Sequence, residues 1–115
     1  MNGTLKTRRQ FDRVYSAGQK AVGRNLVVFA LPSPETEGSD LLVGVVASRK
    51  VGNAVHRNRA KRRIRAAFKL VQPRIERPAW IVLVSRAAAA EGATRSADLV
   101  EEMDRLLRNV GLIQC

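Results

Sequence analysis

The residues of this chain best placed to do chemistry are cations. Between Leu41 and Ile75 stand ten Lys or Arg and no Asp or Glu: Arg49, Lys50, Arg57, Arg59, Lys61, Arg62, Arg63, Arg65, Lys69 and Arg74. Guanidinium groups meet phosphate oxygens through paired, charge-assisted hydrogen bonds, so an Arg-dominated run of this kind suits a polyanion. Left alone, the same charges repel one another, and a surface built only for solubility mixes its signs. A solvated face is the ordinary explanation of a basic helix, but the missing acids argue against it. An anionic membrane surface is a second candidate. It is disfavoured because the apolar side of the segment holds Ala60 and Ala67, too small for lipid insertion and suited to close packing.

Other chemistries lack their residues. There is one His, His56, and one Cys, Cys115. Neither a disulfide framework nor a Cys- or His-rich metal site can be built from them, and the cysteine usage fits a reducing cytoplasm. No glycine-rich phosphate loop is present. A metal-dependent nuclease needs clustered carboxylates. Here Glu35, Glu37 and Asp40 fall in a loop, while Glu101–Arg105 and Asp104–Arg108 are four-residue ion pairs on a helix whose charges read as a solvated face. No catalytic residue and no metal ligand is therefore assigned, and the protein alone is expected to cleave nothing. Aromatics make up only 4%. Phe11 and Tyr15 stand one helical turn apart, so their rings project the same way, and aromatic platforms beside cations hold single-stranded nucleic acid. Plain core packing is the alternative for Phe11 and Phe29; Phe68 reads as core, and Trp80 is given no role.

These residues need elements to hold them. The chain has 115 residues, a formal net charge of +11 and 45% hydrophobic residues. That is enough for one domain over 1–115 and too apolar for a disordered basic tail. Thr7 and Gln10 form a capping box that opens a short helix carrying Phe11, Val14 and Tyr15, with Gly18 at its end. Asn25 to Leu31 and Leu41 to Ser48 read as strands, pairing antiparallel across a loop at Pro32 to Asp40. A turn at Ser48 to Asn53 leads into a helix from about Ala54 to Val71, stopped by Pro73. Its apolar face is Ala60, Ile64, Ala67, Phe68 and Val71. Asn58, Arg62, Arg65 and Lys69 lie opposite that face, Arg59 and Arg63 on one flank and Lys61 on the other, with Arg57 nearer the apolar arc at a groove mouth. Trp80 to Ser85 is a further strand, and Thr94 to Asn109 a last helix. The order is α-β-β-α-β-α, with room for an extra short strand around Ala21 to Arg24, and the class is α+β, a sheet with packed helices. The longest apolar runs fall far short of the ~20 residues that span a bilayer, and the N-terminus does not read as a signal peptide.

The segment Ala47 to Phe68 (ASRKVGNAVHRNRAKRRIRAAF) resembles the signature of the protein subunit of bacterial ribonuclease P, with its Arg-Asn-Arg motif at Arg57, Asn58 and Arg59. Phe11, Tyr15 and Gly18, the Val28-Phe29 strand and the strand from Ile81 to Arg86 fit the same family, so the resemblance covers nearly the whole chain. It implies a single αβββαβα domain of the ribosomal-protein type, with a left-handed βαβ crossover in which the basic helix is the crossing element. Local rules alone would make such a crossover right-handed in ~98% of cases. It also implies the function of an RNA-binding subunit that assists a catalytic RNA in removing the 5′ leader from precursor tRNA. The RNA carries the chemistry and binds most of the Mg²⁺. Arg57, Asn58, Arg59, Lys61, Arg62 and Arg65 are then expected against the catalytic RNA. Phe11, Tyr15, Phe29, Ser48, Lys50 and Arg86 are expected in a cleft for the single-stranded leader. The implied partners are the ribonuclease P RNA and precursor tRNA, with no membrane; the free protein is expected to be monomeric and cytoplasmic. A ribosomal or RNA-chaperone protein is the rival, since it shares the basic helix and needs no aromatic cleft.

Overall fold

A computed structural model describes residues 3–32, 41–75, 77–87 and 95–113. The loop expected at Pro32 to Asp40 lies outside them apart from Pro32 itself, as do Glu35, Glu37, Asp40, Thr94 and Cys115. The elements run β1 (Gly3–Thr4), α1 (Arg8–Ala17), β2 (Gln19–Val22), β3 (Leu26–Pro32), β4 (Leu42–Ala47), α2 (Ala54–Val71), β5 (Ala79–Ser85) and α3 (Ser96–Asn109). The strands form one sheet in the order β1-β4-β5-β3-β2. The expected α+β class and element order hold, the extra strand forming as β2, two residues earlier than its sequence placed it. The additional N-terminal strand, β1, carries too few residues for any periodicity to show.

One expected pairing is wrong. The strands β3 and β4 run in opposite directions but do not touch; β5 lies between them, antiparallel to β3 and parallel to β4. The reason is burial. Every residue of β5 except Val84 is buried, as a strand covered on both faces requires, so it takes the centre of the sheet. The β4–α2–β5 unit is thus a crossover between parallel neighbours, with the basic helix as the crossing element.

Alternation along the strands divides the core. On one face Leu26, Val28, Ala30, Ile81 and Leu83 pack against Ala60, Ile64, Ala67, Phe68 and Val71 of α2 and Leu99, Met103, Leu106 and Leu107 of α3. The apolar arc read from the sequence is the buried face of α2, residue for residue. On the other face Leu31, Trp80 and Val82 meet Leu5 and Val14. That second layer is one helix of ten residues, too short to cover a five-stranded sheet.

Candidate nucleic-acid interface

The uncovered part of the α1 face can be laid out by register. Gly44, Val82, Phe29 and Lys20 form one row across β4, β5, β3 and β2; Val46, Val84, Val27 and Val22 form the next. Phe11 reaches across from α1 and lies on Gly44, where a Cβ would come within 2.5 Å of its ring. Tyr15, 39% exposed, meets Phe29 edge-on with ring centroids 4.9 Å apart at 89°. The Lys20 ammonium sits 5.6 Å from the Phe29 ring centre. Phe11 and Phe29 are half-buried and belong at once to the core beneath α1 and to the wall of this cleft. Burial and the Asp12 carboxylate push the Tyr15 phenol above its ordinary value of 10.0, so it stays a hydroxyl donor at neutral pH.

Ser48, Lys50 and Arg86 stand at the far end of the same strands. The register that pairs Ala47 with Ser85 brings the ends of β4 and β5 together. Arg86 lies four residue steps beyond Val82, in the Phe29 row, or ~13 Å of strand. The aromatic and cationic ends are joined by the valine row, of which Val22 is 56% exposed. Ser48 caps a short 3₁₀ turn (Arg49–Val51), its hydroxyl accepting from the Lys50 N–H at 3.3 Å. Arg86 is partly committed, because its Nη1 donates to the Gly23 carbonyl at 2.9 Å and its backbone N–H to the Asn25 carbonyl at 2.8 Å.

The α2 cations lie mainly on the opposite side of the sheet. The helix starts where the sequence requires. Gly52, at φ 137°, makes a turn that L side chains rarely adopt, and Asn53 Oδ1 accepts the His56 N–H at 3.0 Å. Asn58, Arg59, Arg62, Arg65 and Lys69 are exposed, whereas Arg57, Lys61 and Arg63 are half-buried. Among the described residues no carboxylate stands within ion-pair distance of Arg57, Arg59, Lys61, Arg62, Arg65 or Lys69. The first turn of α2 carries no acid, and its one Lys or Arg, Arg57, also opposes the positive end of the helix dipole, by about 0.3–1 kcal/mol. A polyanion would relieve both. A depression of about 490 Å³ runs over this face, bounded by Asn58, Lys61, Arg62, Arg65, Ala66 and Lys69.

Several residues here escaped the sequence reading. Lys20 and Val22 were detectable only with β2 drawn to start at Gln19, since alternation around buried Ala21 then points both at the cleft. Gly44 carries no local signal; its function as the seat for Phe11 depends on a helix far off in sequence. The last helix was misread in part. Glu102 is buried and accepts from the Asn25 N–H, Asn25 Nδ2 and the Leu26 N–H at 2.8, 2.7 and 3.1 Å. Asp104, also buried, holds Arg108 as expected and pairs with Arg74 as well, the latter at 2.6 Å. These acids are structural anchors and not a solvated face. No three Asp, Glu, His or Cys side chains gather among the described residues where a metal could sit, and no described helix is long and apolar enough to cross a membrane.

The ribonuclease P family model matches residues 2–111. The ribonuclease P protein component of Symbiobacterium thermophilum is 38% identical over 110 residues, covering 96% of this chain and 92% of that protein. That of Ruegeria pomeroyi is 39% identical over 108 residues, covering 92% and 84%. Among solved structures, the RNase P protein of Staphylococcus aureus superposes with a TM-score of 0.78 at 26% identity, covering 96% of this chain and 97% of that one. The RNase P protein of Thermotoga maritima gives 0.79 at 25% identity, covering 93% and 96%.

Proposed function

The chain belongs to the ribonuclease P protein family, the RNA-binding subunit of the ribonucleoprotein that processes tRNA 5′ ends, and from that premise we propose how it divides the work. Its exposed α2 face (Asn58, Arg59, Arg62 and Arg65, with Arg57 and Lys61 on the flanks) binds the ribonuclease P RNA. The cleft on the α1 side, with Phe11, Tyr15 and Phe29 at one end and Ser48, Lys50 and Arg86 at the other, holds the single-stranded 5′ leader of precursor tRNA. The observation that carries this reading is the placement of the two sets on opposite faces of one sheet, so that both polyanions can be held at once. Aromatic faces stack on bases whatever their identity, and cations along the groove follow the backbone. In this reading the valine row between them gives the leader an apolar floor.

The protein brings RNA and substrate together; bond cleavage belongs to the RNA. Mg²⁺ is assigned mainly to the RNA. The subunit acts in the cytoplasm and is monomeric when free. The test is cleavage of precursor tRNA by bacterial ribonuclease P RNA at low Mg²⁺, with and without this chain. Added protein is expected to restore cleavage that the RNA alone loses; no stimulation would overturn the proposal.

A further inference from the structure

Beneath α2, where the helix overhangs the β1–β4 edge of the sheet, lies a second groove of about 290 Å³, on the opposite face from the leader cleft. Leu41, Val43 and Val45 line its floor and Phe68 its helix side, while Thr4 and Gln72 supply polar groups. It stays open because β1 pairs with only the first two residues of β4. Arg65 and Lys69 form its rim, and the same two side chains border the larger basic depression along α2. The two hollows therefore share a cationic ridge.

Resting on the reading of α2 as the RNA-binding face, we propose that this groove seats one unpaired nucleotide of the ribonuclease P RNA. The base would enter the apolar groove and its flanking phosphates would straddle the Arg65–Lys69 ridge. The chemistry favours a base over other occupants. The volume is at the low end for ligand sites, ~300–1,000 Å³, and suits a single ring system. Apolar walls accept the flat faces of a base, and the Thr4 hydroxyl and Gln72 amide can hydrogen-bond to its edge. The cationic rim demands that whatever enters is attached to negative charge. RNA already lying along α2 meets that demand without a separate partner.

Two measurements on the protein–RNA complex test it. Thr4 is exposed at the groove mouth, so Thr4→Trp fills the entrance from outside the core. It should weaken affinity for the ribonuclease P RNA by roughly 5- to 150-fold, the range for one stacked base, and leave the salt dependence unchanged because no phosphate contact is lost. Ala97→Trp, exposed on α3, should bind as the parent does. Second, a photoreactive probe attached to Thr4→Cys in a Cys115→Ser background should crosslink to one unpaired nucleotide. Unchanged affinity of Thr4→Trp, or crosslinks scattered over paired RNA, overturns the groove while α2 binding stands. Failure of the parent chain to bind the RNA at all would instead overturn the underlying reading.

Discussion

At the scale of the residue, the cleft depends on side chains that serve packing and, in the proposed function, recognition together. Phe29 is fixed by Tyr15 on one side and Lys20 on the other, so its ring is ordered before any ligand arrives. Tyr15 gives this arrangement a pH signature. Its folded pKa lies above that of the unfolded chain; the stabilisation is complete below pH ~10 and is lost as pH rises through the folded value. Phenolate absorbance should titrate above the ordinary tyrosine midpoint, and Tyr15→Phe should flatten the loss of stability at high pH. A midpoint at or below 10 would contradict the burial seen here. Glu102 supplies a stronger test. It satisfies two backbone N–H groups at the β2–β3 turn, the turn that also holds Arg86. Each donor left buried without a partner costs about 1–3 kcal/mol, so Glu102→Ala should lower unfolding free energy by about 2–6 kcal/mol in chemical denaturation.

At the scale of the element, α2 is two structures on one helix, an apolar arc beneath and an acid-free cationic face above. Its stability is set against its proposed function, since the charges assigned to the RNA repel each other in its absence. Sulfate or phosphate should therefore raise the melting temperature, and an unchanged temperature would count against unrelieved repulsion. Arg62→Ala and Arg65→Ala should each reduce the slope of log affinity for the RNA against log salt by about 1. The helix was legible in the sequence because its signals are local: a polar turn with a glycine, a 3.6-residue apolar period and a proline stop. The neighbour of each strand was not. Asn25 to Leu31 and Leu41 to Ser48 seemed a hairpin because they are consecutive, and only the burial of β5 on both faces explains why it parts them. The hand of the β4–α2–β5 crossover was likewise implied by family resemblance and not by any residue. Phe11 and Tyr15 were legible as a pair, but their seat, Gly44, and their partner, Phe29, are contacts that only tertiary structure creates.

At the scale of the whole molecule, a single sheet keeps the two proposed polyanion-binding surfaces apart. One face is sealed by α2 and α3, whose outer surface carries the charge. The other is half covered by α1, and the uncovered half is the cleft. The two surfaces should then be separable by mutation, which neither a general RNA chaperone nor a single continuous basic surface would allow. The most direct measurement is the affinity of the reconstituted ribonucleoprotein for precursor tRNA and for mature tRNA, with Tyr15→Ala set beside the Arg62→Ala/Arg65→Ala pair. The account predicts that Tyr15→Ala weakens precursor binding at least about 5-fold with mature tRNA unaffected, while the arginine pair weakens assembly with the RNA and leaves leader discrimination intact once assembled. Equal loss for both tRNAs on Tyr15→Ala, or loss of leader discrimination in the assembled arginine variant, would contradict it.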